Sequence, residues 1–134
     1  MITKFKLFEN NTFSQLKDIL IGIQPGKIIN GLDTSEEIVA LINRGDEYDE
    51  SFVTERLNGS SNQCHRNSAD FYKDYQGKYK IVSGYAFFND KWVSHSWLIN
   101  DYGDFIETVQ IKYTHYYGYI LNEKECEIFI SENY

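Results

Sequence analysis

Of the two cysteines in this chain of 134 residues, Cys64 stands in polar company: Ser60-Ser61-Asn62-Gln63-Cys64-His65-Arg66-Asn67. A structural cysteine behaves as a small hydrophobe and prefers an apolar face. This one has amides, an imidazole and a guanidinium beside it, at the expected first turn of a helix. A helix N-terminus offers unpaired N–H groups and positive potential, and both favour a thiolate. Catalysis by a thiolate needs a base that takes the proton and returns it to the leaving group, and a third group that orients the base. His95, in "WVSHSWLIN", and Glu107, in "FIETVQI", are the candidates for those two roles, with Asp101 and Asp104 as alternatives for the third. The Cys64 N–H, helped by Gln63, is expected to hold an oxyanion. Asn67, one turn below Cys64, is expected to position the loop around it.

Those side chains meet only if their segments fold onto one another. "WVSHSWLIN" alternates Trp92, Ser94 and Ser96 against Val93, His95 and Trp97 and reads as a strand; "NDYGD" is a turn, and "FIETVQI" the next strand. Centring that turn on Asp101–Tyr102 pairs positions whose numbers sum to about 203, which sets His95 beside residue 108 and Glu107 one place away. "KYKIVSGYAFFN" is a further strand, ended by an "NDK" break. Ahead of these, the apolar spacing predicts helices over 12–22, with Thr12 as N-cap and Gly22 as stop, and over 33–45, with a Thr34/Glu37 capping box and Gly45 as stop. It also predicts a shorter helical piece over 48–59, and the helix that opens near Cys64, capped by Ser60, Ser61 or Asn62 and ended by Gly77. The last stretch, "LNEKECEIFISENY", fits a strand and a helix equally well. Helices first and a strand meander later predict one α+β domain over 1–134, with N-terminal helices packed on a C-terminal antiparallel sheet.

Composition narrows the partners. Hydrophobic residues make up 42% of the chain, enough for one core, and eleven tyrosines and nine phenylalanines suit half-buried strands and pocket walls. A net charge of −7 argues against nucleic acid and against an anionic membrane surface, both of which need a basic face. No apolar stretch is long enough to span a bilayer and "MITKFKLFENN" lacks the apolar region of a signal peptide, so a cytoplasmic location is expected. That compartment lowers the expectation of a Cys64–Cys126 disulfide.

The run "QCHRNSADFY" and the segment "YKIVSGYAFFNDKWVSHSWLINDYGDFIETVQIKYTHYYGY" together carry a recurring pattern. It is a Cys followed by a polar pair and Asn, a strand with Gly-Tyr-Ala, His-Ser-Trp, a glycine turn, an acidic residue before Thr, and an aromatic-Gly. Over residues 62–120 the chain resembles bacterial and phage proteins that look like small members of the papain-like and transglutaminase-like cysteine enzymes, whose chain order is Cys, His, then Asp or a similar residue. The resemblance implies Cys64 as nucleophile, His95 as base and Glu107 as orienting acid. Glu107 stands where Asp is commoner, and no tryptophan follows Cys64 as it does in papain-type proteases.

The expected activity is cysteine-dependent acyl transfer at an amide: hydrolysis, deamidation or transglutamination of a peptide, a protein or a small amide, with no cofactor. His65, Trp97, His115 and Tyr117 are the candidates to contact the substrate. The rival expectation is a catalytically degenerate binding or inhibitor protein that holds a ligand or partner protein in the same cleft. Cys64, His65, His95, His115 and Cys126 are residue types that bind zinc, but they lack paired CxxC or HxxxH spacing, and no metal is expected.

Overall fold

The computed structural model describes residues 2–29 and 33–133, with side chains from Thr12 onward. It is a mixed α and β structure. Helix α1 (Ile2–Ile23) buries Leu16 and Leu20 at i, i+4 spacing. Strand β1 (Lys27–Ile28) and helix α2 (Ser35–Arg44) follow. In α2 the Thr34 hydroxyl accepts from the Glu37 N–H while the Glu37 carboxylate accepts from the Thr34 N–H, so the expected capping box is present. Then come β2 (Asp46–Asp49), a 3-10 turn at Glu50–Phe52, β3 (Val53–Arg56) and α3 (Cys64–Asp74). Strands β4 (Tyr79–Phe88), β5 (Lys91–Asn100), β6 (Phe105–Glu107) and β7 (His115–Ile120) lead to α4 (Glu123–Glu132).

The seven strands form one sheet in the order β2-β7-β4-β5-β6-β3, with β1 beside β5. Its centre is the long β4–β5 hairpin, closed by Asn89 and Asp90 at φ 54° and 63°, the left-handed pair that a tight two-residue hairpin demands. Strict alternation along β4, β5 and β7 sorts side chains onto two faces. One carries Ile81, Tyr85, Trp92, Leu98, Tyr117 and Tyr119 and is covered by helices. The other carries Val82, Ala86, Trp97, Phe105 and Tyr116 and is closed by β2, β3 and the loop 108–114. The sheet curls over this second face: Tyr48 of β2 reaches Trp97 and Phe105, ring centres 6.0 and 5.6 Å away.

Several expectations need correction. The sheet is not purely antiparallel, because β1 runs parallel to β5 and β3 parallel to β6. The helix expected over 12–22 begins ten residues earlier, since no Gly or Pro interrupts the segment before Thr12. The piece expected to be helical over 48–59 is strand, turn and strand. Asp46–Asp49 completes the free edge of β7, Asp49 caps the turn through the Ser51 N–H, and Val53–Arg56 joins β6. Tertiary pairing here outweighs local propensity. The ambiguous C-terminal stretch is helix, capped by an Asn122/Glu125 box. No helix among the described residues is long and apolar enough to cross a membrane.

Candidate active site

The site forms where the β5 edge is interrupted. On its side away from β4, β5 pairs with β1 at Lys91–Trp92 and with β6 at Leu98–Ile99. Between them, from Val93 to Trp97, no ladder is found among the described residues, and the first turn of α3 sits there. The body of α3 lies on the helix face, where Phe71 and Tyr72 join the core, while Cys64 at its tip packs with the second face. The N-cap is Gln63, not Ser60, Ser61 or Asn62, and no side chain caps the helix. Asn62 instead takes the left-handed conformation, φ 59°, that turns the chain into α3.

Cys64, His95 and Glu107 are brought together. The β5–β6 register pairs Leu98 with Ile106, one place from the expected sum, so extrapolation sets Glu107 beside Trp97. His95 and Glu107 are therefore diagonal neighbours on one face, still within side-chain reach. His95 Nε2 lies 3.0 and 2.9 Å from the two Glu107 carboxylate oxygens, and both residues are fully buried. The same carboxylate accepts from the Tyr116 hydroxyl at 2.9 Å and from the Thr108 N–H at 2.9 Å. Asp101 and Asp104 stay in the turn, where Asp104 closes it with Asn100, and neither reaches the imidazole.

Because Nε2 donates to a carboxylate, the other ring nitrogen of neutral His95 is a free lone pair. Nδ1 is buried without a hydrogen-bond partner and, with Nε2 taken by Glu107, is the ring nitrogen left to act on the Cys64 thiol. Catalytic contacts are often this loose before substrate tightens them. Burial opposes ionisation of Cys64, but the hydrogen-bonding and charge of His95 and the Ser96 N–H outweigh it, and the thiol is held below its ordinary value. Burial likewise opposes a charged His95; Glu107, chiefly, and Cys64 overcome it and push the imidazole up to about 9. The two shifts have opposite signs, as a thiolate–imidazolium pair requires.

The imidazole is boxed by Tyr113, Trp97 and Tyr116, with ring centres 4.4, 5.9 and 6.0 Å away. Gly118 lets Trp97 lie against the sheet, since a Cβ there would stand 2.7 Å from the indole. Asn67 is buried and ties the site's two loops: its Oδ1 accepts from the Ser60 N–H, and its Nδ2 donates to the carbonyls of Ser60 and Thr108. Arg56 fixes the second loop by donating to the carbonyls of Val109 and Ile111. Between these loops lies a cavity of about 400 Å³ lined by Gly59, Ser61, Asn62, Val109, Gln110 and Ile111, none of them charged. Neither this cavity nor a larger one of about 580 Å³, over Arg44, Tyr72 and Cys126, is lined by any of the three clustered residues.

The other candidate residues lie elsewhere. Gln63 is exposed and makes no cap bond, so its side chain is not held at the thiol. His65 projects onto the helix face, bonded to Ser96 at 2.8 Å and Ser94 at 3.2 Å; burial, and then the charge of His95, lower it to about 4. Trp97 is fully buried beneath His95 and walls no cleft. His115 pairs across from Asp49 and stacks its edge on Phe87, and Tyr117 donates to the Leu41 carbonyl at 2.6 Å; both are on the helix face. Cys126 is a second free thiol, buried on that face, and burial pushes it up. Among the described residues no three His, Cys, Asp or Glu are grouped to hold a metal. Sequence reasoning missed Tyr113, Tyr116 and Arg56. The near-continuous aromatic run 113–119 was the available signal for the first two. No family model matches the chain, and no match is found among the curated proteins or the solved structures.

Proposed function

We propose that this chain is a cysteine-dependent acyl-transfer enzyme acting on an amide of a peptide, a protein or a small molecule, by hydrolysis, deamidation or transfer to an amine. The observation that carries the reading is the imidazole of His95, committed through Nε2 to Glu107 and left with Nδ1 for Cys64 at an uncapped helix start. The resemblance to papain-like and transglutaminase-like enzymes, with the order Cys, His, acid, points the same way. In this mechanism the Cys64 thiolate attacks the carbonyl carbon and its electron pair moves to oxygen. Collapse expels the amine, which takes the proton from His95 Nδ1, leaving a thioester. His95 then deprotonates the incoming water or amine, and a second tetrahedral adduct releases the thiol. Glu107 keeps the proton on Nε2 and stabilises the imidazolium without taking the proton itself. The uncharged lining of the cavity between the two loops that Asn67 ties together suits a neutral carboxamide better than an ionised group.

The test is the pH dependence of iodoacetamide alkylation, followed by mass spectrometry, in wild type and His95→Ala. Wild-type Cys64 is expected to react well below the ordinary thiol pKa of about 8.5, and far ahead of Cys126. His95→Ala moves the profile to that value or above and slows the neutral-pH rate by about tenfold or more. An ordinary profile in both proteins removes the thiolate–imidazolium pair and the proposal with it.

A further inference from the structure

An acyl-transfer centre needs hydrogen-bond donors where the carbonyl oxygen becomes anionic. The Cys64 N–H at the uncapped start of α3 is one. The side chains nearest in sequence do not supply another: Gln63 is exposed, and Asn67 spends its amide on Ser60 and Thr108. Tyr113 comes from the loop between β6 and β7. Its ring is buried, 4.4 Å from that of His95, and packs edge-on against Tyr116 and Phe88. It shares with Cys64 the cluster on the second face. Buried tyrosines usually find a partner for the hydroxyl. That of Tyr113 makes no hydrogen bond to any described residue and is open to solvent, whereas the Tyr116 hydroxyl beside it is buried and engaged by Glu107. Burial, then the charges of Cys64 and Glu107, hold the phenol well above its ordinary value, so at neutral pH it is protonated and a donor.

We infer that the Tyr113 hydroxyl is an oxyanion donor for the acyl transfer, opposite the Cys64 N–H. The inference rests on the reading of Cys64 as nucleophile. As the sulfur–carbon bond forms, the carbonyl π pair moves onto oxygen, and the Tyr113 O–H and Cys64 N–H donate to it. No proton leaves tyrosine, and the two bonds weaken again when the carbonyl re-forms.

Two electrophiles separate this role from the parent reading. Iodoacetamide is displaced at a saturated carbon and builds no oxyanion; p-nitrophenyl acetate is attacked at a carbonyl and does. Tyr113→Phe removes a hydroxyl that has no protein partner. It is expected to slow acylation of Cys64 by p-nitrophenyl acetate by about tenfold or more, while alkylation by iodoacetamide stays within about twofold of wild type and shows that the site is folded. Equal slowing of both reactions would make Tyr113 a support for His95 and overturn the proposal. Unchanged acylation, or failure of the Phe variant to fold, would overturn it too. A wild-type thiol that is slow toward both reagents would instead overturn the parent reading, and this one with it.

Discussion

At the scale of single residues, the site is decided by which atom carries each proton. Glu107 accepts from three donors at once: the His95 Nε2–H, the Tyr116 hydroxyl and the Thr108 N–H. Glu107→Gln keeps the shape but turns one oxygen into an NH2 that faces donors. Either the amide or the imidazole must then reorient, and Nδ1 is no longer presented to sulfur as a lone pair. The expected result is a loss of about 100-fold or more in acyl transfer and a thiol titration moved back up toward its ordinary value, read from thiolate absorbance against pH. The Tyr116 hydroxyl and the Thr108 N–H bond to different oxygens, so one of the two loses its acceptor and stability falls by about 1–3 kcal/mol in urea unfolding. A variant with wild-type thiol titration would leave Glu107 no part in setting His95. The proximity of His95 and Glu107 was legible in the sequence because strand alternation and one turn place both, whereas the approach of Cys64 was not, because spacing along the chain does not show how a helix docks on a sheet. The diagonal pairing was not, since a glycine turn admits neighbouring registers. Tyr113 and Tyr116 were not either, because parity along a strand says nothing of a side chain delivered by a loop, nor of which hydroxyl finds a carboxylate.

At the scale of elements, the problem is to dock the start of α3 against an interrupted strand edge. Gly59 lies directly against the second loop of the site. A Cβ there would meet the Thr108 carbonyl oxygen at 2.4 Å and the Asn67 amide at 2.5 Å, and neither is a flexible side-chain end. Gly59→Ala is expected to push the loops apart, cost about 1–3 kcal/mol and slow Cys64 alkylation at neutral pH. Gly22, in the last turn of α1, is the opposite case. Nothing lies within 4 Å of its Cβ position, so Gly22→Ala should stabilise by up to about 1 kcal/mol and leave alkylation unchanged. Denaturant midpoints and alkylation rates of the two variants check the pair together; equal behaviour would remove the special role given to the Gly59 contact. Which elements could be read in advance follows the same logic. The Thr34/Glu37 box made α2 legible from four residues. The same Asn122/Glu125 spacing announces α4, but the alternation of Cys126, Ile128 and Ile130 masked it. Strands β2 and β3 were illegible because they are stabilised by partners far along the chain, β7 and β6, rather than by their own pattern.

At the scale of the molecule, α3 joins the two sides of the sheet. Cys64 faces the aromatic box of the second face, and the next residue, His65, latches the helix to β5 from the first. Ser96 donates to Ser68 at 3.2 Å, so it accepts from His65 Nδ1–H, and Nε2 accepts from Ser94. A second ring proton would turn the Ser94 hydroxyl from donor to acceptor, so it is the buried surroundings rather than the hydrogen bonds that favour the neutral ring. Burial, and then the nearby charge of His95, lower His65 from 6.5 to about 4. The sign follows from linkage: between those values the unfolded chain binds the proton and the folded one does not, so stability rises with pH. The contribution is complete above about 6.5 and is lost as pH falls toward 4, with an upper limit of about 3 kcal/mol. Asp33, Glu37 and Glu132 line the cavity His65 faces, and burial raises the Asp33 carboxyl above its ordinary value. The difference between wild type and His65→Gln isolates the imidazole from them. Urea unfolding at pH 7, 5.5 and 4.5 should show wild type losing stability faster than His65→Gln as pH falls. Parallel curves would mean that the ring is not held neutral and that α3 is docked on β5 by packing alone.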